Sequence, residues 1–128
     1  STESAYKASE DLLQSYSEFD GIFCPNESAA FGMLRALQDS GRTKTAKFIG
    51  FDASDKLVAA LRAGEIDALV LQDPVRMGSL AVRACVEKIQ GKPVEARIDT
   101  GVVVVRQGEV DQPEVQALLS PDLSILDR

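Results

Sequence analysis

The sequence predicts an α/β fold in which helices flank a mostly parallel β-sheet in three layers. Short apolar runs alternate along the chain with longer amphipathic stretches. Within the runs the apolar residues are consecutive, which is typical of parallel strands that are covered on both faces. A chain of 128 residues, 45% of them hydrophobic, is large enough for one hydrophobic core.

The first part of the chain predicts a helix, a strand, a helix and a second strand. The first helix covers residues 4–17, where small and apolar residues recur at helical spacing: Ala5, Ala8, Leu12 and Tyr16. DGIFCP (20–25) predicts a buried strand. NESAAFGMLRALQDSG (26–41) predicts a helix that ends at glycine, and KFIGF (47–51) predicts the second strand.

The same alternation continues through the next four segments. SDKLVAALRAGE (54–65) predicts an amphipathic helix, and DALVLQDP (67–74) predicts a third strand that ends at proline. VRMGSLAVRACVEKIQ (75–90) predicts a long helix, and TGVVVVR (100–106) predicts a fourth strand. Because strands alternate with helices, we expect parallel pairing.

A short helix is predicted at residues 113–119. Asp111 and Glu114 have the spacing of a capping box, and Pro113 lies in the first turn. The tail beyond Pro121 predicts irregular structure.

Composition excludes several classes of function. The chain has 14 basic and 20 acidic residues and a net charge of −6, which argues against nucleic-acid binding. No apolar run approaches the roughly 20 residues that span a bilayer. Histidine is absent, which removes Ser-His and Cys-His nucleophile pairs and the commonest metal ligand. We therefore expect no catalysis, no cofactor and no metal site.

The two cysteines predict no disulfide. Cys24 lies in a predicted strand and Cys85 in a predicted helix, far apart in sequence. Cysteines without a spacing pattern are usually small buried hydrophobes.

Polar side chains follow three of the predicted strands. Asn26 comes after the first strand, Asp52 after the second and Gln72 at the end of the third. Carboxyl ends of parallel strands meet at one edge of a sheet, where α/β proteins bind ligands. Planar amides and carboxylates can bond neighbouring hydroxyls, as a sugar requires.

Each of these residues also has a purely structural interpretation, which the sequence leaves open. Asn26 could only cap the helix that follows it, and Asp52 or Ser54 could cap the next one. Gln72 and Asp73 could only form the turn before proline.

Aromatic side chains near these strand ends could offer a stacking face to a sugar: Phe23, Phe31, Phe48 and Phe51. Phe48 and Phe51 could equally fill the core.

Two longer stretches resemble a known family. GIFCPNESAAFGMLRALQDSG and KFIGFDASDKLVAALRAGEIDALVLQDPVRMGSLAVRACVEKIQGKP are similar to the second half of periplasmic sugar-binding proteins of the ribose-binding, type I class. The resemblance covers residues 5–106. It rests on the Asn-acid pair at 26–27, on Gly-Phe-Asp at 50–52, and on the pattern G-x-I-x-A-x-V-x-Q-x-P-x-x-M-G at 64–78.

The resemblance implies a site and a division of the chain. In the family, the positions of Asn26, Asp52 and Gln72 hydrogen-bond sugar hydroxyls near a hinge, whereas Glu27 stands where aspartate is usual. Residues 1–72 would form part of the C-terminal sugar-binding lobe. Residues 73–100 would cross the hinge, at Asp73, Pro74, Thr100 and Gly101, and give a helix to the other lobe. Residues 101–128 would form the last strand and the C-terminal tail.

The resemblance also implies that the chain is one portion of a two-lobe protein. The helix at 75–90 would then present an apolar face without a partner, formed by Met77, Leu80, Ala81 and Ala84. We expect it either to pack back on its own sheet or to exchange with a second copy of the chain. The partner in the family is the N-terminal lobe.

Three function classes follow. The first is the substrate-binding component of an ABC-type importer, which is periplasmic or otherwise extracytoplasmic and either free or lipid-anchored. It binds a monosaccharide between its lobes and meets a membrane permease. The second is the sugar-sensing effector domain of a cytoplasmic Lac-repressor-type regulator. The third, an enzyme or a phosphorylation switch centred on Asp52, is disfavoured because no acidic pair, lysine or phosphate loop accompanies that residue.

Overall fold

The computed structural model describes residues 1–121, so the predicted irregular tail beyond Pro121 lies outside the described residues. The α-helices and strands follow the predicted order, and the structure adds a 3-10 turn that the sequence did not predict. They are α1 (Thr2–Ser15), β1 (Gly21–Phe23), α2 (Glu27–Asp39), β2 (Lys47–Phe51), α3 (Asp55–Arg62), β3 (Ala68–Leu71), α4 (Pro74–Ile89), β4 (Val103–Arg106), a 3-10 turn (Gln107–Glu109) and α5 (Pro113–Leu119).

The described strands form one sheet in the order β1-β2-β3-β4. The first three strands are parallel, which confirms the mostly parallel α/β class. The expectation that the fourth strand is parallel is wrong, because β4 pairs antiparallel to β3, with Val103 opposite Leu71. The chain leaves the sheet at the carboxyl end of β3 and returns at the same end after α4. Strand β4 therefore runs in the direction opposite to β3.

The core lies on one face of the sheet. Phe48, Leu69 and Val105 point to this side and pack with buried residues of α2 and α3. Further members of the core come from these helices and from the C-terminal segment: Leu34, Leu37, Leu57, Leu61, Val110 and Val115. Burial of each large apolar side chain contributes about 1.5–3 kcal/mol.

The opposite face of the sheet is partly open, so the expectation of two covered faces holds on one side only. Strand pairing places Phe23, Ile49 and Val104 on this side. These side chains are 58%, 36% and 47% exposed. We call the three residues the open face.

Helix α1 packs against α2 at an unusually close approach. A Cβ on Gly32 would lie 2.6 Å from the backbone nitrogen of Tyr6, so this position excludes a side chain. The buried residue of α1 is Ser9, whereas Leu12 and Tyr16 of the predicted stripe are exposed. The side of α1 that faces the protein is therefore rotated from the stripe predicted by the sequence.

Helix α4 has no buried residue. Pro74 lies in its first turn and Asp73 caps it. These two residues at its N-terminus explain why the helix forms without burying a side chain. The predicted alternative in which α4 packs back on its own sheet is not observed. Its exposed large apolar side chains are Val75, Met77, Val82, Val86 and Ile89.

The two cysteines are far from equivalent in their surroundings. Cys24 is buried, Cys85 is exposed and both are free, which confirms that no disulfide joins them.

The capping box predicted for α5 is wrong. Its N-cap is Gln112 without a side-chain bond, and Asp111 instead accepts two hydrogen bonds from Arg62, at 3.0 and 2.6 Å.

Candidate functional site

The carboxyl ends of β1, β2 and β3 lie along one edge of the sheet, as parallel pairing requires. Asn26, Asp52 and Gln72 each follow a strand end by one to three residues. The in-register pairs Phe23–Ile49 and Phe51–Val70 keep these positions adjacent from strand to strand. We call this row the strand-end edge.

Asp52 adopts a left-handed backbone conformation. Its φ is 63°, and its N–H donates to the carbonyl of Val70 at 2.8 Å. Aspartate tolerates this conformation better than most residues, yet it remains a strained position of the kind that often occurs at functional sites. The side chain does not cap α3. Ser54 is the N-cap, and it also makes no side-chain capping bond.

The carboxylate of Asp52 lacks a protein partner among residues 1–121. The hydrogen bonds and ion pairs of this region involve other side chains, and Asp52 is half-buried. Burial raises the pKa of Asp52 above its ordinary value, and the negative charge of Glu27 adds to this effect. A half-buried acceptor without a donor is suited to a ligand hydroxyl.

Gln72 shares a cavity with Asp52. The cavity has a volume of about 330 Å³, and its other lining residues are Ala53, Leu71, Pro74 and Leu118. Gln72 is half-buried, and its side-chain amide has both donors and a carbonyl acceptor. The arrangement offers polar groups over an apolar wall, as ligand cavities commonly do.

Asn26 lies on the strand-end edge but does not line that cavity. It is the N-cap of α2, and its Oδ1 accepts a hydrogen bond from the backbone N–H of Ala29 at 2.9 Å. The structural interpretation of Asn26 is therefore confirmed, and its amide nitrogen has no bond within the described residues. Capping and ligand binding remain compatible at this residue.

Asp73 caps α4 by accepting from the N–H of Arg76 at 2.8 Å. Gly101 has a φ of +70°, and its N–H donates to Asp99 at 2.8 Å. Gln72–Asp73 and Gly101–Val102 continue the paired ends of β3 and β4, so the two connections leave the sheet side by side. The hinge role of Asp73, Pro74, Thr100 and Gly101 stays a prediction.

The four phenylalanines that the sequence places near the strand ends differ in their surroundings. Phe48 is fully buried in the core, whereas Phe51 is half-buried. Phe31 packs against the core, and the ammonium of Lys56 lies 4.9 Å from the centre of its ring. Phe23 belongs to the open face. None of the four lines the cavity at Asp52.

Sequence reasoning missed one contributor to the cavity, Leu118 of α5. The apolar pattern of α5 predicted a helix, but no local signal shows which strand end such a helix reaches. Glu27 was assigned no role, yet it lies close enough to Asp52 to affect its pKa.

Among residues 1–121, no group of three or more Cys, Asp or Glu side chains is placed to hold a metal ion. Within the same part of the chain, no helix combines the length and apolar character needed to cross a membrane.

Residues 1–93 match the family model for a periplasmic binding protein domain. A ribose import binding protein of Haemophilus influenzae is 34% identical over 98 residues, which cover 77% of this chain and 33% of that protein. A putative rhizopine-binding protein of Rhizobium meliloti is 38% identical over 82 residues, covering 63% of this chain and 26% of that protein. The chain thus spans about a third or less of these relatives.

Solved structures agree with the sequence comparisons. An ABC transporter solute-binding protein from Agrobacterium vitis with bound D-fucose superposes with a TM-score of 0.84 at 34% identity, over 92% of this chain and 41% of that one. The periplasmic component of an ABC-type sugar transport system from Hahella chejuensis gives 0.79 at 43% identity, over 82% and 38%. The family model covers more than half of the chain, and the solved structures superpose on most of it. The chain therefore belongs to the periplasmic binding protein family.

Proposed function

We propose that this chain is the ligand-binding part of the solute-binding component of an ABC-type sugar importer, which works outside the cytoplasm. The observation that carries the proposal is the cavity shared by Asp52 and Gln72, with Asn26 next along the same edge. Relatives named as import binding proteins support transport over gene regulation. Binding, rather than catalysis, is the role.

The chemistry of the strand-end edge fits a monosaccharide. The carboxylate of Asp52 accepts hydrogen bonds from hydroxyls, and the amides of Asn26 and Gln72 both donate and accept. Hydrogen bonds to a charged carboxylate are stronger than neutral ones, so Asp52 is expected to contribute most of the binding free energy.

The strand-end edge alone gives weak binding. A net hydrogen bond contributes about 0.5–1.5 kcal/mol, so three residues supply about 1.5–4.5 kcal/mol. This corresponds to a dissociation constant that is roughly millimolar or weaker. Tight binding requires contacts from the remaining part of a complete protein, which would close over the sugar in a hinge motion. The closed form would be recognised by a membrane permease.

In the complete protein, residues 73–100 would give a helix to the other lobe, which is the N-terminal one. The two connections that flank α4 leave the sheet side by side, as the two strands of a hinge would. Helix α4 buries none of its residues, and its apolar side chains are available for a partner. We infer that the other lobe of the complete protein covers α4.

Without that lobe, we expect two copies of this chain to exchange residues 73–100. Light scattering is expected to give a mass above that of the monomer, and the excess should fall on dilution. A compact monomer at every concentration would contradict the exchange but not the sugar site.

The test of the sugar site uses the complete protein that contains this chain. Thermal melting with a panel of pentoses and hexoses should identify a sugar that raises the melting temperature. Asn26→Ala, Asp52→Ala and Gln72→Ala should each abolish this rise, measured against the melting temperature of the same variant without sugar. Asp11→Ala and Gln14→Ala, exposed on α1, serve as controls and should respond like the unmodified protein. If all three site variants respond like the controls, the proposed site is wrong.

A further inference from the structure

The cavity shared by Asp52 and Gln72 is lined mostly by apolar side chains. The residues that complete its lining are Ala53, Leu71, Pro74 and Leu118, which we call the apolar wall. The volume of about 330 Å³ lies near the lower end of the roughly 300–1,000 Å³ that small-molecule sites occupy. A monosaccharide that bonds Asp52 and Gln72 through its hydroxyls therefore places another part of itself against the apolar wall.

Leu118 offers the largest apolar surface of this wall to a ligand. Leu71 is buried in the core, and Ala53 has only a methyl group. Leu118 is half-buried, because part of its side chain packs against the core and the rest remains accessible. A change at Leu118 should therefore alter the cavity more than a change at Ala53 or Leu71 would.

The position of Leu118 is set by the fold. Asp111, which precedes α5, accepts two hydrogen bonds from Arg62, at 3.0 and 2.6 Å. Val115 of α5 is 3% exposed, and Leu118 lies three residues further along on the same side of the helix. The ion pair and the buried valine thus hold this side of α5 against the protein before a ligand binds.

The shape of the wall favours a compact apolar group. Its members belong to three separate segments: the loop before α3, the connection from β3 to α4, and α5. None of the phenylalanines among residues 1–121 lines the cavity. The flat C–H face of a sugar ring packs best on a flat aromatic ring, whereas a methyl group can contact aliphatic side chains on several sides.

We propose that the ligand is a sugar with a methyl substituent, such as a 6-deoxyhexose, and that Leu118 determines specificity by contacting this methyl group. The inference rests on the proposed function and specifies its ligand. A hydroxymethyl group in the same place would lose hydrogen bonds to water against side chains that can neither donate nor accept. A pentose has no substituent there, so it would leave Leu118 without a contact.

The ligand is tested with sugars that share a ring configuration and differ in one substituent. For the galactose configuration these are L-arabinose, D-fucose and D-galactose, which carry hydrogen, methyl and hydroxymethyl at that carbon. The complete protein is titrated by calorimetry with the series whose configuration the sugar panel identifies. We expect the methyl sugar to bind about tenfold or more tightly than either of the other two.

Two substitutions test the role of Leu118 in the same titrations. Asparagine is close to leucine in shape but carries an amide, so Leu118→Asn should reverse the preference and favour the hydroxymethyl sugar. Leu118→Ala should weaken binding of the methyl sugar about tenfold and bring its affinity close to that of the pentose.

Leu119→Ala is the matched control. Leu119 is the next residue of α5, is also half-buried and also packs against the core, but it lines a different cavity, between α3 and α5. Leu118→Ala and Leu119→Ala should lower the melting temperature of the complete protein by similar amounts. Only the first should change the order in which the three sugars bind.

The possible failures are distinguishable. If the methyl sugar binds the unmodified protein no more tightly than the pentose and the hexose, the inference is wrong and the sugar site stands. The same conclusion follows if Leu118→Ala keeps the order of binding seen for Leu119→Ala, and this comparison holds even if Leu118→Asn does not fold. If no sugar in the panel binds the unmodified complete protein, the proposed function falls, and the inference falls with it.

Discussion

Helices α2 and α4 have similar sequences in physical terms but very different surroundings. Each is amphipathic and begins with a side-chain cap, from Asn26 at 2.9 Å and from Asp73 at 2.8 Å. Helix α2 buries six residues between α1 and the sheet, whereas α4 buries none. Caps and apolar periodicity therefore predict that a helix forms, but only the presence of a partner decides whether its apolar side is buried.

The largest effect should come from a matched pair of leucines. Leu34 of α2 is 2% exposed, whereas Leu80 of α4 is half-buried. Leu34→Ala should lower the free energy of unfolding by about 2–5 kcal/mol, because it leaves a cavity in the core. Leu80→Ala should cost under about 1 kcal/mol in the isolated chain at concentrations low enough to keep it monomeric. Urea unfolding followed by circular dichroism measures both.

The same pair of leucines can contradict the difference in burial between α2 and α4. Equal losses for the two variants in the monomer would show that α4 packs on its own sheet in solution. In the complete protein, where we propose that the other lobe covers α4, the cost of Leu80→Ala should rise toward that of Leu34→Ala.

A matched pair of glycines should give effects of opposite sign. A Cβ at Gly32 would lie 2.6 Å from the nitrogen of Tyr6, whereas nothing lies within 4 Å of the equivalent atom at Gly78. Gly32→Ala should separate α1 from α2 and lower the free energy of unfolding by about 1–3 kcal/mol. Gly78→Ala should raise it by about 0.5–1 kcal/mol through helix propensity. Loss of stability in both variants would contradict the exposed position of α4.

Substitutions of two aspartates should give the smallest changes in the free energy of unfolding. They compare an aspartate that supports the fold with one that lies in the candidate site. Asp67 accepts from Lys47 at 2.7 Å and from the N–H of Phe48 at 2.9 Å. The bond to Lys47, followed by the one to Phe48, lowers the pKa of Asp67 below its ordinary value of 3.8, although burial opposes this. Asp67 therefore stabilises the fold above this value, and the contribution is lost as pH falls through its lowered pKa. Asp67→Asn should cost about 1 kcal/mol at pH 7 and progressively less in acid.

Asp52 should behave in the opposite way. Burial and the charge of Glu27 raise its pKa above 3.8, so the folded state binds the proton more tightly than the unfolded chain does. The ionised carboxylate then destabilises the fold at pH 7, and this cost disappears below the ordinary value. Asp52→Asn should raise the free energy of unfolding by about 0.5 kcal/mol at pH 7 and leave it unchanged near pH 3. A loss of stability at pH 7 would contradict the raised pKa of Asp52.

Local signals predicted most of the fold. The glycine that ends α2, the proline in the first turn of α5 and the alternation of patterns gave the described helices and strands in the correct order, but not the 3-10 turn at Gln107–Glu109. The strand-end edge followed from parallel pairing, which the structure confirms for three strands. Each of these features is encoded within a few neighbouring residues.

Non-local contacts account for what the sequence did not predict. The antiparallel direction of β4 depends on where the chain returns after α4, and the pairing of Asp111 with Arg62 replaces a local capping box. The packed side of α1 is set by the close approach at Gly32. Leu118 reaches the cavity only because α5 folds back over the strand ends. No short pattern contains these relationships.

We propose that this chain carries one half of a sugar site and needs the other lobe to complete it. Calorimetric titration of the same sugar into this chain and into the complete protein tests the claim most directly. We predict a dissociation constant for the chain that is roughly millimolar or weaker, and binding by the complete protein at least about a hundredfold tighter. Micromolar binding by the chain alone, or equal affinity for the two proteins, would contradict it.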